Sequence, residues 1–209
     1  MIAIVDYGVG NLFSLSCSLR SLGAEVLVTG DAGAIRAADK VVLPGVGAFG
    51  DAAALLRERG LDRVVVEEAR RGKPLLGICL GMQLLFERSL EYGEHPGLGL
   101  IPGQVEPIAP VIPKGYKVPH IGWNALRFPA GRPRSGLFRY VEEGECVYFV
   151  HSYYASRCDA YVTATAEYGA ELTAAVEREN VMGVQFHPEK SGAVGLRILR
   201  AFCEREGGR

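Results

Sequence analysis

Leu75-Leu76-Gly77-Ile78-Cys79-Leu80-Gly81-Met82-Gln83 runs from a wholly apolar segment, through a cysteine flanked by glycines, into residues at helical spacing. A short apolar run without alternation fits a strand buried on both faces, and such strands belong to parallel sheets covered by helices. Outward from it the same rhythm recurs. Ile2 to Asp6 reads as a strand, followed by a Gly-containing turn and an amphipathic stretch from Asn11 to Leu22 that stops at Gly23. Glu25 to Thr29 and Lys40 to Leu43 read as strands, the second closed by Pro44 and Gly45. A helical stretch runs from Asp51, a candidate cap, to about Arg71 with a break near Gly60. Pro74 to Ile78 is the next strand, and Leu80 to Arg88 carries helical spacing.

The second half changes character. Between Leu98 and Gln185 come β runs at Val105 to Ile108, Cys146 to Val150, Tyr161 to Ala166, Thr173 to Glu177 and Val181 to Phe186, several parted by Gly or Asn turns. These are hairpin signals. A helix near Val194 to Glu204 closes the chain. The expected fold is α/β, a doubly wound and mostly parallel sheet with an antiparallel extension. No linker-like stretch interrupts it, so residues 1–209 read as one domain. A net charge of −1 gives no electrostatic reason to expect nucleic acid or an anionic membrane. No apolar run approaches the ~20 residues of a membrane span, and MIAIVDYG lacks the basic start of a signal peptide. The expectation is a cytoplasmic protein.

The five cysteines, at 17, 79, 146, 158 and 203, include no CxxC or other metal-ligand spacing, so no metal is expected. Most are expected to be buried small hydrophobes. Cys79 differs through its setting. A sharp strand-to-helix turn holds a nucleophile in a strained conformation, and Gly77 and Gly81 relieve the crowding. The start of a helix favours thiolate over thiol, and the Leu80 amide would face developing negative charge.

A thiolate needs a base. Of the four histidines, His95 sits in a polar loop, His120 stands among turn residues as a surface or interface candidate, and His151 ends a strand where it could line a cleft. His187 is the best base. Pro188 holds it extended, and residues i and i+2 of an extended segment share a side, so Glu189 can orient the imidazole. Closely spaced glycines in Leu43-Pro44-Gly45-Val46-Gly47 would let backbone amides approach a ligand at a strand's carboxyl end. Gly8-Val9-Gly10 is no dinucleotide fingerprint, because Phe13 stands where the third glycine belongs.

Pro44-Gly45-Val46-Gly47, Gly77-Ile78-Cys79-Leu80-Gly81-Met82-Gln83 and Phe186-His187-Pro188-Glu189, in that order, resemble the class I, or triad, glutamine amidotransferases. Asp6-Tyr7-Gly8, Gly10-Asn11-Leu12, Pro119-His120-Ile121-Gly122-Trp123-Asn124 and Lys190-Ser191-Gly192 extend the likeness over nearly the whole chain. The resemblance implies that Cys79 forms a glutamyl thioester, His187 shuttles protons and Glu189 orients His187. It implies oxyanion amides at Val46 and Leu80, and glutamine contacts at Gly47, Gln83, Glu91 and the backbone of Ser152 and Tyr153. Trp123, Asn124 and Lys190 would face a partner. That partner would be a cyclase (synthase) subunit in a heterodimer, using the ammonia to make imidazole glycerol phosphate and an aminoimidazole carboxamide ribotide in histidine biosynthesis. No cofactor is implied. The loop Pro44 to Gly47 would need the partner to orient it, leaving the isolated chain a poor glutaminase. The residues alone leave open another acceptor synthase, a cysteine peptidase-like hydrolase on the same sheet, and an idle regulatory subunit.

Overall fold

Ile2–Val5 forms the first strand, β1, and is apolar and buried at every position, so it needs cover on both faces. The computed structural model describes residues 1–205. After β1 come α1 (Leu12–Ser21), β2 (Val26–Thr29), α2 (Ala32–Ala37), β3 (Lys40–Gly45), α3 (Phe49–Glu58), α4 (Leu61–Arg70), β4 (Leu75–Cys79) and α5 (Leu80–Leu84). The second half holds β5 (Phe86–Ser89), β6 (His95–Pro96), β7 (Ile101–Pro107), β8 (His120–Ala125), β9 (Cys146–His151), β10 (Tyr153–Ser156), β11 (Val162–Glu167), β12 (Glu171–Arg178), β13 (Val181–Val184) and α6 (Gly192–Cys203).

The large sheet has the order β11-β12-β13-β4-β3-β1-β2. Strands β2, β1, β3, β4 and β13 pair in parallel, and β12 and β11 add the expected antiparallel extension. Alternate side chains feed two cores. Ile2, Ile4, Val42, Leu76 and Ile78 pack with Leu15 and Leu19 of α1 and with Ile198, Leu199 and Phe202 of α6. Ala3, Val5, Val41, Leu43 and Leu75 pack on the other face with Ile35, Leu56, Val64 and Val65 of α2 to α4. The sheet is doubly wound, and a one-residue slip would exchange the two cores. Beside it lie a four-stranded sheet, β10-β7-β5-β6, and the antiparallel pair β8-β9.

Four expectations need correction. Helical spacing from Leu80 to Arg88 gives a helix only to Leu84, after which Phe86–Ser89 becomes β5. Leu85 and Phe86 are fully buried, the Leu85 carbonyl accepts from Leu100 and Ile101, and β5 pairs in parallel with β7. Long-range pairing therefore overrides a local helical pattern. His120 lies in strand β8, not among turns, and His95 is half-buried in β6 instead of solvated in a loop. Among the cysteines, Cys17 and Cys146 are exposed and Cys203 is partly so, which leaves only Cys79 and Cys158 buried.

Strands β2 and β3 flank β1 on opposite sides, so the winding reverses there. Ligand crevices of open α/β sheets lie outside the carboxyl ends of strands at such a point. Glycines bring the backbone together at this edge. A Cβ on Gly77 would lie 2.7 Å from the Gly81 carbonyl oxygen, and one on Gly81 would lie 1.8 Å from that of Leu43. Neither obstacle is a side chain that can rotate away. Gly81→Ala is expected to cost about 3 kcal/mol, as overpacking against fixed neighbours does, read as a lower denaturation midpoint. An unchanged midpoint would show that β3 and α5 need not touch.

Candidate active site

Cys79 ends β4 and caps α5 with φ 55 and ψ −114, a left-handed backbone that costs a non-glycine residue about 1–3 kcal/mol. Its strand register places it opposite Gly45, so the loop that follows β3 begins beside the sulfur. Tyr7, from the carboxyl end of β1, donates its hydroxyl to the Pro44 carbonyl at 2.8 Å and pins that loop from below. Burial, aided by nearby Cys79, raises the Tyr7 pKa far above the ordinary phenol value, so the hydroxyl keeps its proton and remains a donor.

His187 follows β13. Its N–H donates to the Tyr148 carbonyl at 3.0 Å, and Ser191 Oγ donates to its carbonyl at 2.6 Å. The backbone is thus fixed from two sides. Its side chain lines the same cleft as Cys79, and its Nδ1 lies 2.9 Å from Oε1 of Glu189. The side chains of both are almost wholly buried, at 3% and 2% exposure, which keeps water from screening the pair. Asn11, just before α1, donates to the same Glu189 oxygen at 3.3 Å, while Oε2 has no hydrogen-bond partner among the described residues. Asn11 was legible only as part of a motif. Its bond to Glu189 spans a sequence separation that no local pattern reveals.

Cys79 and His187 open on one cleft of about 380 Å³. Val46, Gly47, Leu80, Gln83, Glu91, Ser152, Tyr153 and Lys190 line it, together with Pro119, Val150 and His151, the last as its place at a strand end suggested. Gln83 and Glu91 are both buried, which is uncommon for an amide and a carboxylate. Gln83 Nε2 donates to the Tyr153 carbonyl at 3.2 Å and to Gln185 Oε1 at 2.9 Å. Glu91 Oε2 accepts the Phe49 N–H at 2.7 Å, at the start of α3. Trp123 is 58% exposed on β8 and is no core residue. Asn124 on the same strand is committed inward, donating to the Glu167 carbonyl at 2.7 Å and lying 3.3 Å from His120 Nε2. His120 is buried and bonded to His151, which corrects its reading as a surface residue. Gln185, fully buried and donating toward Cys79 Sγ at 3.8 Å, had no sequence signal at all. Among the described residues no group of three His, Cys, Asp or Glu side chains could hold a metal ion.

A family model described as glutamine amidotransferase class-I matches residues 3–205 of this chain. The chain belongs to the class-I glutamine amidotransferases. This amidotransferase is 53% identical over 204 residues to the Moorella thermoacetica protein named imidazole glycerol phosphate synthase subunit HisH, covering 97% of this chain and 94% of that one. A Wolinella succinogenes protein of the same name is 48% identical over 206 residues, covering 98% and 99%. Among solved structures, one described as a glutamine amidotransferase superposes with a TM-score of 0.74 at 22% identity, covering 97% of both chains. The PurLQS structure from Thermotoga maritima gives 0.72 at 21%, covering 96% of both. At these identities the structures speak for the fold of the amidotransferase alone.

Burial is the largest single influence on His187 and pulls its pKa down. The hydrogen bonds and charges of Cys79 and Glu189 outweigh it and raise the value to about 9. A cation held in the folded state stabilises it fully below the unfolded value of ~6.5, and this contribution is lost as pH rises through about 9. Glu189→Gln is expected to lower the His187 titration midpoint, followed by NMR of the ring, and to shrink the stability lost between those two pH values. A midpoint unchanged by the substitution would remove Glu189 as a support of the imidazolium.

Proposed function

We propose that this chain is the glutaminase subunit of an imidazole glycerol phosphate synthase. It hydrolyses glutamine to glutamate and ammonia, and passes the ammonia to a partner cyclase in a heterodimer during histidine biosynthesis. The reading treats residues 1–209 as one amidotransferase domain working in the cytoplasm. No helix among the described residues is long and apolar enough to cross a membrane. One observation carries the chemistry: a cysteine on a strained strand-helix turn shares a cleft with a buried His-Glu pair.

In the proposed mechanism, the Cys79 thiolate attacks the side-chain amide carbon of glutamine. The amides of Val46 and Leu80 receive the oxyanion. The carbon–nitrogen bond then breaks as the His187 imidazolium protonates the departing nitrogen, leaving a glutamyl thioester and ammonia. Neutral His187 next takes a proton from water. The hydroxide adds to the thioester, the carbon–sulfur bond breaks, and glutamate leaves with thiolate and imidazolium restored. Glu189 keeps the ring oriented and supports its charge in both steps. Gly47, Gln83, Glu91 and the backbone of Ser152 and Tyr153 hold the substrate, and among the described residues Glu91 is the one carboxylate lining the cleft. Trp123, Asn124 and Lys190 face the cyclase.

The Cys79→Ala chain, combined with its cyclase, should lose glutamine-dependent synthesis while keeping synthesis from added ammonium. Glutamate release by the unaltered chain should be slow alone and rise with the cyclase and its nucleotide substrate. Normal glutamine use by the Cys79→Ala complex, with ammonium excluded, would remove Cys79 from the chemistry. Fast hydrolysis by the isolated chain would remove the dependence on a partner.

A further inference from the structure

Two buried imidazoles that the hydrolysis does not use stand beside the cleft. His120 on β8 and His151 on β9 are directly paired across the two strands, with His120 Nδ1 3.0 Å from His151 Nε2. His120 is stacked between Phe149, at 5.0 Å, and Tyr168, at 4.1 Å. Burial pushes the pKa of His151 down to about 4 and lowers that of His120, so both rings are neutral near pH 7.

Neutral rings allow only one hydrogen-bond pattern. The Tyr153 carbonyl can only accept, so His151 Nδ1, 2.8 Å away, carries the proton. His151 Nε2 must then accept, and His120 Nδ1 donates to it. His120 Nε2 in turn accepts from Asn124 Nδ2, whose other bond goes to the Glu167 carbonyl. A second branch meets the same Tyr153 oxygen. Gln83 Nε2 donates to it and to Gln185 Oε1, which turns Gln185 Nε2 toward Cys79 Sγ. Flipping either amide would set two donors or two acceptors face to face. One backbone carbonyl therefore orients every polar group from Asn124 to the nucleophile.

We propose that His120 and His151 are positioning residues for Cys79, holding the Tyr153 carbonyl and through it the Gln83-Gln185 amides that fix the sulfur. The proposal rests on the reading of Cys79 as nucleophile, but not on glutamine or a cyclase. The network starts on β8, the strand that exposes Ile121 and Trp123, so a change in that strand reaches the sulfur through polar contacts alone. Networks of this kind act as a unit, since each bond polarises and restrains the next.

Alkylation of Cys79 by iodoacetamide reads the nucleophile directly and requires neither substrate nor partner. His120→Phe keeps a ring between Phe149 and Tyr168 but cannot donate to His151. His120→Asn loses the stacking but keeps an N–H where Nδ1 stood. We expect the Phe variant to alkylate about tenfold more slowly and the Asn variant to approach the unaltered rate. Gln185→Leu should also slow alkylation, and adding His120→Phe to it should slow it little further, because the two act along one path. In the complex, the Phe variant should lose kcat for glutamine more than it changes KM. The reverse order, with Asn slow and Phe normal, would show that stacking is what matters. Fully additive effects of His120→Phe and Gln185→Leu would equally overturn the proposal. Loss of glutaminase activity with the alkylation pattern intact would count against the proposed function and leave this inference standing.

Discussion

The left-handed backbone at Cys79 is the constraint on which the rest of the site depends. A cysteine does not adopt φ 55 without support, and the support is a close approach of β3, β4 and α5 that only glycine permits at 77 and 81. That approach puts Cys79 level with Gly45, so the sulfur and the loop after β3 come to the same edge. Parallel pairing of β13 with β4 then delivers His187 to that edge from the other side. The strain is held by the two apolar cores that clamp the sheet, which is why the cysteine can sit on a rigid element.

Environment sorts the four histidines into different tasks. His187 is buried beside a carboxylate and a sulfur, and both favour the imidazolium. His151 is also buried but has a carbonyl and another neutral ring as neighbours, so desolvation wins and the ring stays neutral. His120 follows His151 for the same reason, and its stacking on Phe149 and Tyr168 restricts the ring further. His95 packs over Gly50, where a Cβ would lie 2.8 Å from its ring. The side chain is constant, and the partners decide between charge and neutrality.

Much of this was legible in the chain itself. The apolar strands around Cys79 announced a parallel sheet, and Gly-x-Cys-x-Gly announced the turn. His187-Pro188-Glu189 placed an imidazole beside a carboxylate through local geometry alone. Less was legible where partners are distant. Leu80 to Arg88 carried a helical pattern until pairing with β7 took its second half. His120 looked like a turn residue because Gly122 and Pro119 surround it, yet β9 recruits it as a strand. Asn11, Tyr7 and Gln185 gave no sign of their contacts with Glu189, Pro44 and Cys79.

The amino-acid sequence by itself determined the parallel strands β1 to β4, the strained cysteine turn and the His-Glu pair, because each depends on residues a few positions apart. Tertiary structure decided which polar groups are buried and against what. Whether Gln83 meets solvent or Gln185, and whether His120 is charged or neutral, turns on desolvation and on hydrogen bonds between groups tens of residues apart. Those energies exist only once the sheet has closed around them.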